Sequence, residues 1–126
     1  MFFKRKEKKE ETVQEEAIVD VQELLEKAKA GVAALSGKSG DERIQALNEI
    51  GILFADANEN DEAIKYLEMS LAEKKDLGAG YRKLLNLYNI KRREAAKAKD
   101  DAQIQYYLTK IDEMMAISKE VTRASF

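Results

Sequence analysis

The chain has 126 residues, and its 22 lysines and arginines nearly balance its 24 aspartates and glutamates, giving a net charge of -2. It contains neither cysteine nor histidine, which excludes disulfides, thiolate nucleophiles, and the commonest general base and transition-metal ligand. The balanced charge gives no general attraction to nucleic acid. Proline is also absent, and helix-forming residues dominate, so the composition predicts an all-α protein.

Residues 1–12 show no apolar periodicity, and we predict that they form a disordered, charged arm. Phe2 and Phe3 are followed at once by Lys4, so no apolar run typical of a signal peptide or a membrane span begins here. We therefore predict a cytoplasmic protein with a single helical domain over residues 13–126. Its first helix is predicted over 13–36, because apolar residues recur there at spacings of three and four.

The next stretch, residues 34–40, reads ALSGKSG and contains the Gly-Lys-Ser that ends a nucleotide-binding P-loop. That motif needs another glycine where Val32 stands, and it needs a preceding β-strand. Asp41 and Glu42 would also place two carboxylates where a phosphate would bind. We therefore interpret the stretch as a helix boundary. Gly37 is predicted to end the first helix in the left-handed conformation, and Ser39 to cap the second helix in a capping box with Glu42.

Two helical hairpins are predicted after this boundary, over 39–77 and over 78–122, with Asp100 or Asp101 capping the last helix. Residues 44–77 of the first hairpin resemble a tetratricopeptide repeat (TPR). The positions that match the family pattern are Leu47, Ile50-Gly51, Phe54, Ala63, Tyr66-Leu67 and Ser70. The resemblance implies that the two helices cross closely where Gly51 and Ala63 are small.

The second hairpin matches the family pattern more loosely. Tyr81, Leu84-Leu85 and Tyr88 repeat the first-helix pattern, with leucine in place of the glycine, and the next small residue, Ala102, comes about five positions late. The chain thus resembles a short, right-handed TPR-like superhelix of about five antiparallel helices, with one good repeat and flanking capping helices. The alternative is a generic five-helix bundle.

The resemblance also implies a concave groove lined by the first helix of each unit. The groove positions given by the repeat register are Gln45, Asn48, Ile52, Asp56, Arg82, Asn86 and Asn89. In some TPR domains, a basic residue and an asparagine spaced like Arg82 and Asn86 help to clamp a peptide's terminal carboxylate.

No pattern in the sequence indicates a catalytic residue, a metal site or a cofactor. The cations of the segment 89–99 complement the dipole of a helix C-terminus, and base-stacking aromatic residues are not interleaved among them, so we predict no nucleic-acid partner. We expect a non-enzymatic adaptor or scaffold that binds a protein or peptide partner.

Two alternative functions remain open. The first is self-association, for which the last helix and the C-terminus offer Tyr106, Tyr107, Met114, Met115 and Phe126. The second is peripheral attachment to a membrane through the basic, phenylalanine-containing N-terminal arm.

Overall fold

The computed structural model describes residues 20–124, and this part of the chain is helical with no β-strand. Helix α1 covers 20–34, and a single 3-10 turn, Leu35–Gly37, follows it. The remaining helices are α2 (Gly40–Asp56), α3 (Asn60–Glu73), α4 (Ala79–Lys97) and α5 (Asp101–Ala124). The prediction of an all-α fold with about five helices is confirmed. The predicted arm over 1–12 and the predicted helix start over 13–19 lie outside the described residues.

Ion pairs define the relative directions of the central helices. Arg43 at the start of α2 pairs with Glu73 at the end of α3, with 2.9 Å between Nε and Oε1. Lys91 in the second half of α4 pairs with Asp61 at the start of α3. Both α2 and α4 therefore run antiparallel to α3. Because α2 and α4 also contact each other, they lie side by side and parallel, while α5 packs against α4.

The core lies between α2, α3 and α4, and it also includes Ala28 of α1, Leu35 of the 3-10 turn and Met114 of α5. The largest fully buried side chains are Leu47, Ile50, Leu84, Leu87 and Met114. Burial of each such side chain contributes roughly 1.5–3 kcal/mol relative to exposure. The rings of Phe54 and Tyr66 stack with their centroids 5.7 Å apart, which links α2 to α3.

Glycines allow three close approaches to α2. A Cβ at Gly51 would lie 2.5 Å from Cγ of Leu67 on α3, and a Cβ at Gly31 of α1 would lie 2.8 Å from Cγ1 of Ile50. Gly80 at the start of α4 lies against the side chain of Asn48, again with no room for a Cβ. Helix α2 is thus the element on which α1, α3 and α4 pack.

The boundary between α1 and α2 differs from the prediction in two details. The left-handed glycine is Gly40, with φ +59°, rather than Gly37, which belongs to the 3-10 turn. Ser39 is extended, and its side chain makes no capping hydrogen bond to α2. The physical reason is that the 3-10 turn closes α1 by itself, with the Lys38 N–H donating to the Leu35 carbonyl oxygen at 3.0 Å. The chain then changes direction at Gly40.

Candidate functional site

The side of α2 that faces away from the core carries a row of mostly polar side chains. Their spacing places them within about 80° of one another around the helix axis. We call these residues the α2 row: Asp41, Gln45, Glu49, Ile52 and Asp56. All are exposed except Ile52, which is half-buried. The Gln45 amide donates to Oε1 of Glu49 at 3.4 Å, so part of the row is joined along the helix.

Helix α4 carries a similar row, with spacings of four, three and four residues. The side chains fall within an arc of about 60°, opposite the buried Leu84 and Leu87. We call these residues the α4 row: Arg82, Asn86, Asn89 and Arg93. Three are exposed. Asn89 is half-buried, and its Nδ2 donates to the Leu85 carbonyl oxygen at 3.1 Å.

The fold brings the two rows next to each other, because α2 and α4 are adjacent and parallel. Two contacts join the helices between the rows. Lys83 Nζ lies 3.5 Å from Oδ1 of Asp56, and Asn48 packs against Gly80. Of the predicted groove residues, Asn48 is therefore turned towards α4 and half-buried at the helix contact. The other six lie on the two outward rows.

The two rows differ in charge. The α2 row has three carboxylates, of which Asp41 and Asp56 pair with lysines from the end of α3 and from α4. The α4 row has two arginines, and Lys97 is exposed one helical turn further on. Within residues 20–124, no carboxylate lies within ion-pair distance of Arg82 or Arg93.

The lysines of α4 have a different role from its outward arginines. Lys83 and Lys91 pair with acidic residues of α2 and α3, respectively. The Lys91–Asp61 contact is short, with 2.6 Å between Nζ and Oδ1, and the hydrogen bond from the ammonium group to Asp61 raises the pKa of Lys91. These lysines join α4 to α2 and α3, whereas Arg82 and Arg93 are exposed and have no acidic partner within residues 20–124.

The repeat register did not identify every residue of this surface. It missed Glu49, which extends the acidic side, and Arg93, which completes the α4 row. The signal for Arg93 is its separation from Arg82, because eleven residues amount to just over three complete helical turns. The register also missed Gly80, for which the sequence signal is a pair of glycines at the start of a helix.

A small cleft lies beside the rows, between α2, the end of α3 and the start of α4, and its volume is about 100 Å³. Asn48, Lys74 and Asp76 line it together with the first turn of α4. Pockets for drug-sized ligands usually measure about 300–1,000 Å³, so this cleft is too small for a nucleotide or a comparable cofactor. Among the described residues, no group of three or more acidic side chains is placed to hold a metal ion.

Within residues 20–124, no helix is both long enough and apolar enough to cross a bilayer.

Comparison with known proteins gives no further assignment. No protein-family model matches the sequence, and the searches of curated proteins and of solved structures found no match.

Proposed function

We propose that this chain is a protein-interaction module that binds a peptide or helix of a partner along the α2 and α4 rows. The observation that carries the proposal is the arrangement of these two helices. They lie parallel and adjacent, bury one side in the core, and expose polar rows on the opposite side. Such a pair offers a long, continuous surface about two helices wide, which suits an extended or helical ligand better than a compact small molecule.

The proposal includes a TPR-like arrangement of the helices. Its support is the close crossing of α2 and α3 at Gly51, next to the fully buried Ala63. The positions at which the sequence resembles the family pattern are also the positions that pack: Leu47, Ile50, Phe54, Tyr66, Leu67 and Ser70 are all buried.

We further propose that the module acts without catalysis and works in the cytoplasm. The absence of catalysis is supported by the sequence, which contains neither histidine nor cysteine.

Affinity capture from the source cell tests the proposal. The tagged full chain is compared with an Arg82→Ala/Asn86→Ala variant and with a control, Lys27→Ala/Lys29→Ala, at two exposed positions of α1. We expect a partner that is retained by the native chain and the control but lost, by at least about tenfold, with the α4-row variant. A set of captured proteins that does not depend on the α4 row would refute the proposal.

Self-association is the second candidate, and it is favoured by one observation. The exposed large apolar side chains of the described region all lie on α5: Tyr106, Leu108 and Met115, which are 48%, 39% and 47% exposed. Two of the residues predicted from the sequence for this surface are not exposed. Met114 is 2% exposed and belongs to the core, and Tyr107 is half-buried, because both face α4. Phe126 lies outside the described residues, as does the arm proposed for membrane attachment.

A further inference from the structure

We propose that the partner segment is acidic on the side that meets α4, with carboxylates placed to pair with Arg82 and Arg93. This inference deepens the function proposed above and depends on it. It starts from the two arginines that no acidic residue of the described chain neutralises. They lie within about 20° of each other around the helix axis and roughly 16 Å apart along it.

The position of Arg82 has no explanation in the stability of α4 itself. It is the fourth residue of a helix whose first turn carries no acidic residue. Cations are unfavourable near a helix N-terminus, because the helix dipole places partial positive charge there. Arg93 lies in the last two turns, where the dipole favours a cation, but its alignment with Arg82 is not needed for that effect. A ligand that pairs with both arginines accounts for the alignment.

The two asparagines between the arginines suit a peptide ligand. Asn86 is exposed on the same row, and its side-chain amide can both donate and accept hydrogen bonds. Asn89 already donates to the Leu85 carbonyl oxygen, which leaves its Oδ1 free to accept. The α4 row therefore offers charge at its two ends and neutral hydrogen-bonding groups between them.

The acidic α2 row limits the width of the ligand's negative surface. Packed helices have axes about 8–10 Å apart, so the carboxylates of Glu49 and Asp56 lie one helix away from the arginines. A partner helix is of similar width, about 10 Å. The charges of such a helix complement both rows when its acidic side faces α4 and a neutral or basic side faces α2.

The same charge arrangement disfavours nucleic acid. Duplex DNA carries one negative charge per roughly 1.7 Å of its axis and is wider than a single helix, so its phosphates would also face the α2 row. Neither row contains an aromatic residue on which a single-stranded base could stack. We therefore assign the surface to an acidic protein segment.

Amide NMR titration of the full chain tests this inference. The probe is a capped helical peptide of about 16 residues with glutamates at i, i+4, i+7 and i+11, which span roughly 16 Å. The first control is the same peptide with lysine in each of these places, and the second is a thymidine oligonucleotide of similar length. We expect the glutamate peptide alone to shift the amide signals of the α4 row, and we expect these shifts to decrease at high salt.

Two variants and a matched control locate the binding. Arg82→Glu/Arg93→Glu is expected to weaken binding of the glutamate peptide by about tenfold or more, and the neutral Arg82→Gln/Arg93→Gln by less. Lys27→Glu/Lys29→Glu changes the net charge of the protein by the same amount, at two exposed positions of α1, and is expected to leave binding nearly unchanged. Because all these side chains are exposed, the variants are expected to keep the native helical spectrum.

The inference is overturned if the glutamate peptide leaves the α4 row unshifted, if the lysine peptide or the oligonucleotide shifts it equally, or if the α1 control weakens binding as much as the α4 reversal. These outcomes can be distinguished from failure of the proposed function. If cellular capture still depends on Arg82 and Asn86, only the acidic class of partner is wrong. If capture does not depend on Arg82 and Asn86, the proposal that the partner binds this surface is wrong.

Discussion

Gly51 sets the distance at which α2 and α3 cross. A methyl group at this position would lie 2.5 Å from Cγ and 2.7 Å from Cδ2 of Leu67, which is itself packed in the core. We predict that Gly51→Ala lowers the free energy of unfolding by about 1–3 kcal/mol, because the helices or Leu67 must move apart. Urea denaturation of the full chain measures this change.

The control for this prediction is Gly37→Ala. A Cβ at Gly37 meets no atom within 4 Å, and its backbone is not left-handed. Its effect on stability is expected to stay within about 0.5 kcal/mol. Equal destabilisation by the two substitutions would show that close packing at Gly51 is not the cause.

Tyr88 links stability to pH at the alkaline end. It is 3% exposed, and its burial, followed by the nearby Glu68 carboxylate, raises the pKa of its hydroxyl above the ordinary value of 10.0. The neutral form is therefore favoured in the native state. The resulting stabilisation is complete below pH about 10, the pKa in the unfolded chain, and is lost progressively as the pH rises above it.

We predict that Tyr88→Phe loses less stability than the native chain between pH about 9 and about 11, since phenylalanine has no proton to release. Urea denaturation at a series of pH values gives the slope of the unfolding free energy against pH for the native chain and for the variant. Other groups also titrate in this range, so the difference between the native chain and the variant is the informative quantity. Identical slopes would contradict the assignment to Tyr88.

At the scale of helices, the start of α5 depends on one capping side chain. The Gln103 N–H donates to Oδ1 of Asp100 at 3.1 Å, whereas Asp101 lies in the first turn, exposed to solvent. We predict that Asp100→Ala costs about 1 kcal/mol and that Asp101→Ala costs only a few tenths, through the helix dipole. Thermal unfolding of the two variants compares them directly, and a larger loss for Asp101→Ala would contradict this account.

The helices themselves could be predicted from sequence because their signals are local. Apolar spacing indicated each helix, and the cap at Asp100 was one of the two predicted, so the prediction that an aspartate caps α5 is confirmed. The boundary at 34–40 was wrong in detail for a different reason. Gly37 and Gly40 both permit a left-handed backbone, and the sequence does not indicate that a 3-10 turn over Leu35–Gly37 closes α1 and leaves the left-handed conformation to Gly40.

The charges on α4 show what sequence could not predict. Five cations in the segment 89–99 were interpreted together, but Lys91 is joined to α3 while Arg93 points outwards. Which cation finds a partner depends on the placement of Asp61 by a neighbouring helix, and no local spacing encodes this. The distinction between paired lysines and outward arginines therefore required the tertiary structure.

For the whole molecule, the exposed apolar side chains of α5 make the second candidate function testable. If α5 mediates self-association, sedimentation velocity at increasing concentration should show a growing dimer fraction. The substitution Leu108→Glu/Met115→Glu should abolish the dimer, because charges on both sides of the contact would be buried without partners. The Arg82→Glu/Arg93→Glu variant serves as a control and should keep the dimer. A monomer at all concentrations would exclude this candidate.

The central claim is that the surface formed by the α2 and α4 rows binds a partner protein. Photo-crosslinking in the source cell tests it most directly, with a photoreactive amino acid placed at Asn86 on the α4 row or, as a control, at Lys65 on α3; both positions are exposed. The account predicts a discrete crosslinked protein from position 86 that is absent from position 65. Adducts that are the same from both positions, or absent from position 86, would contradict it.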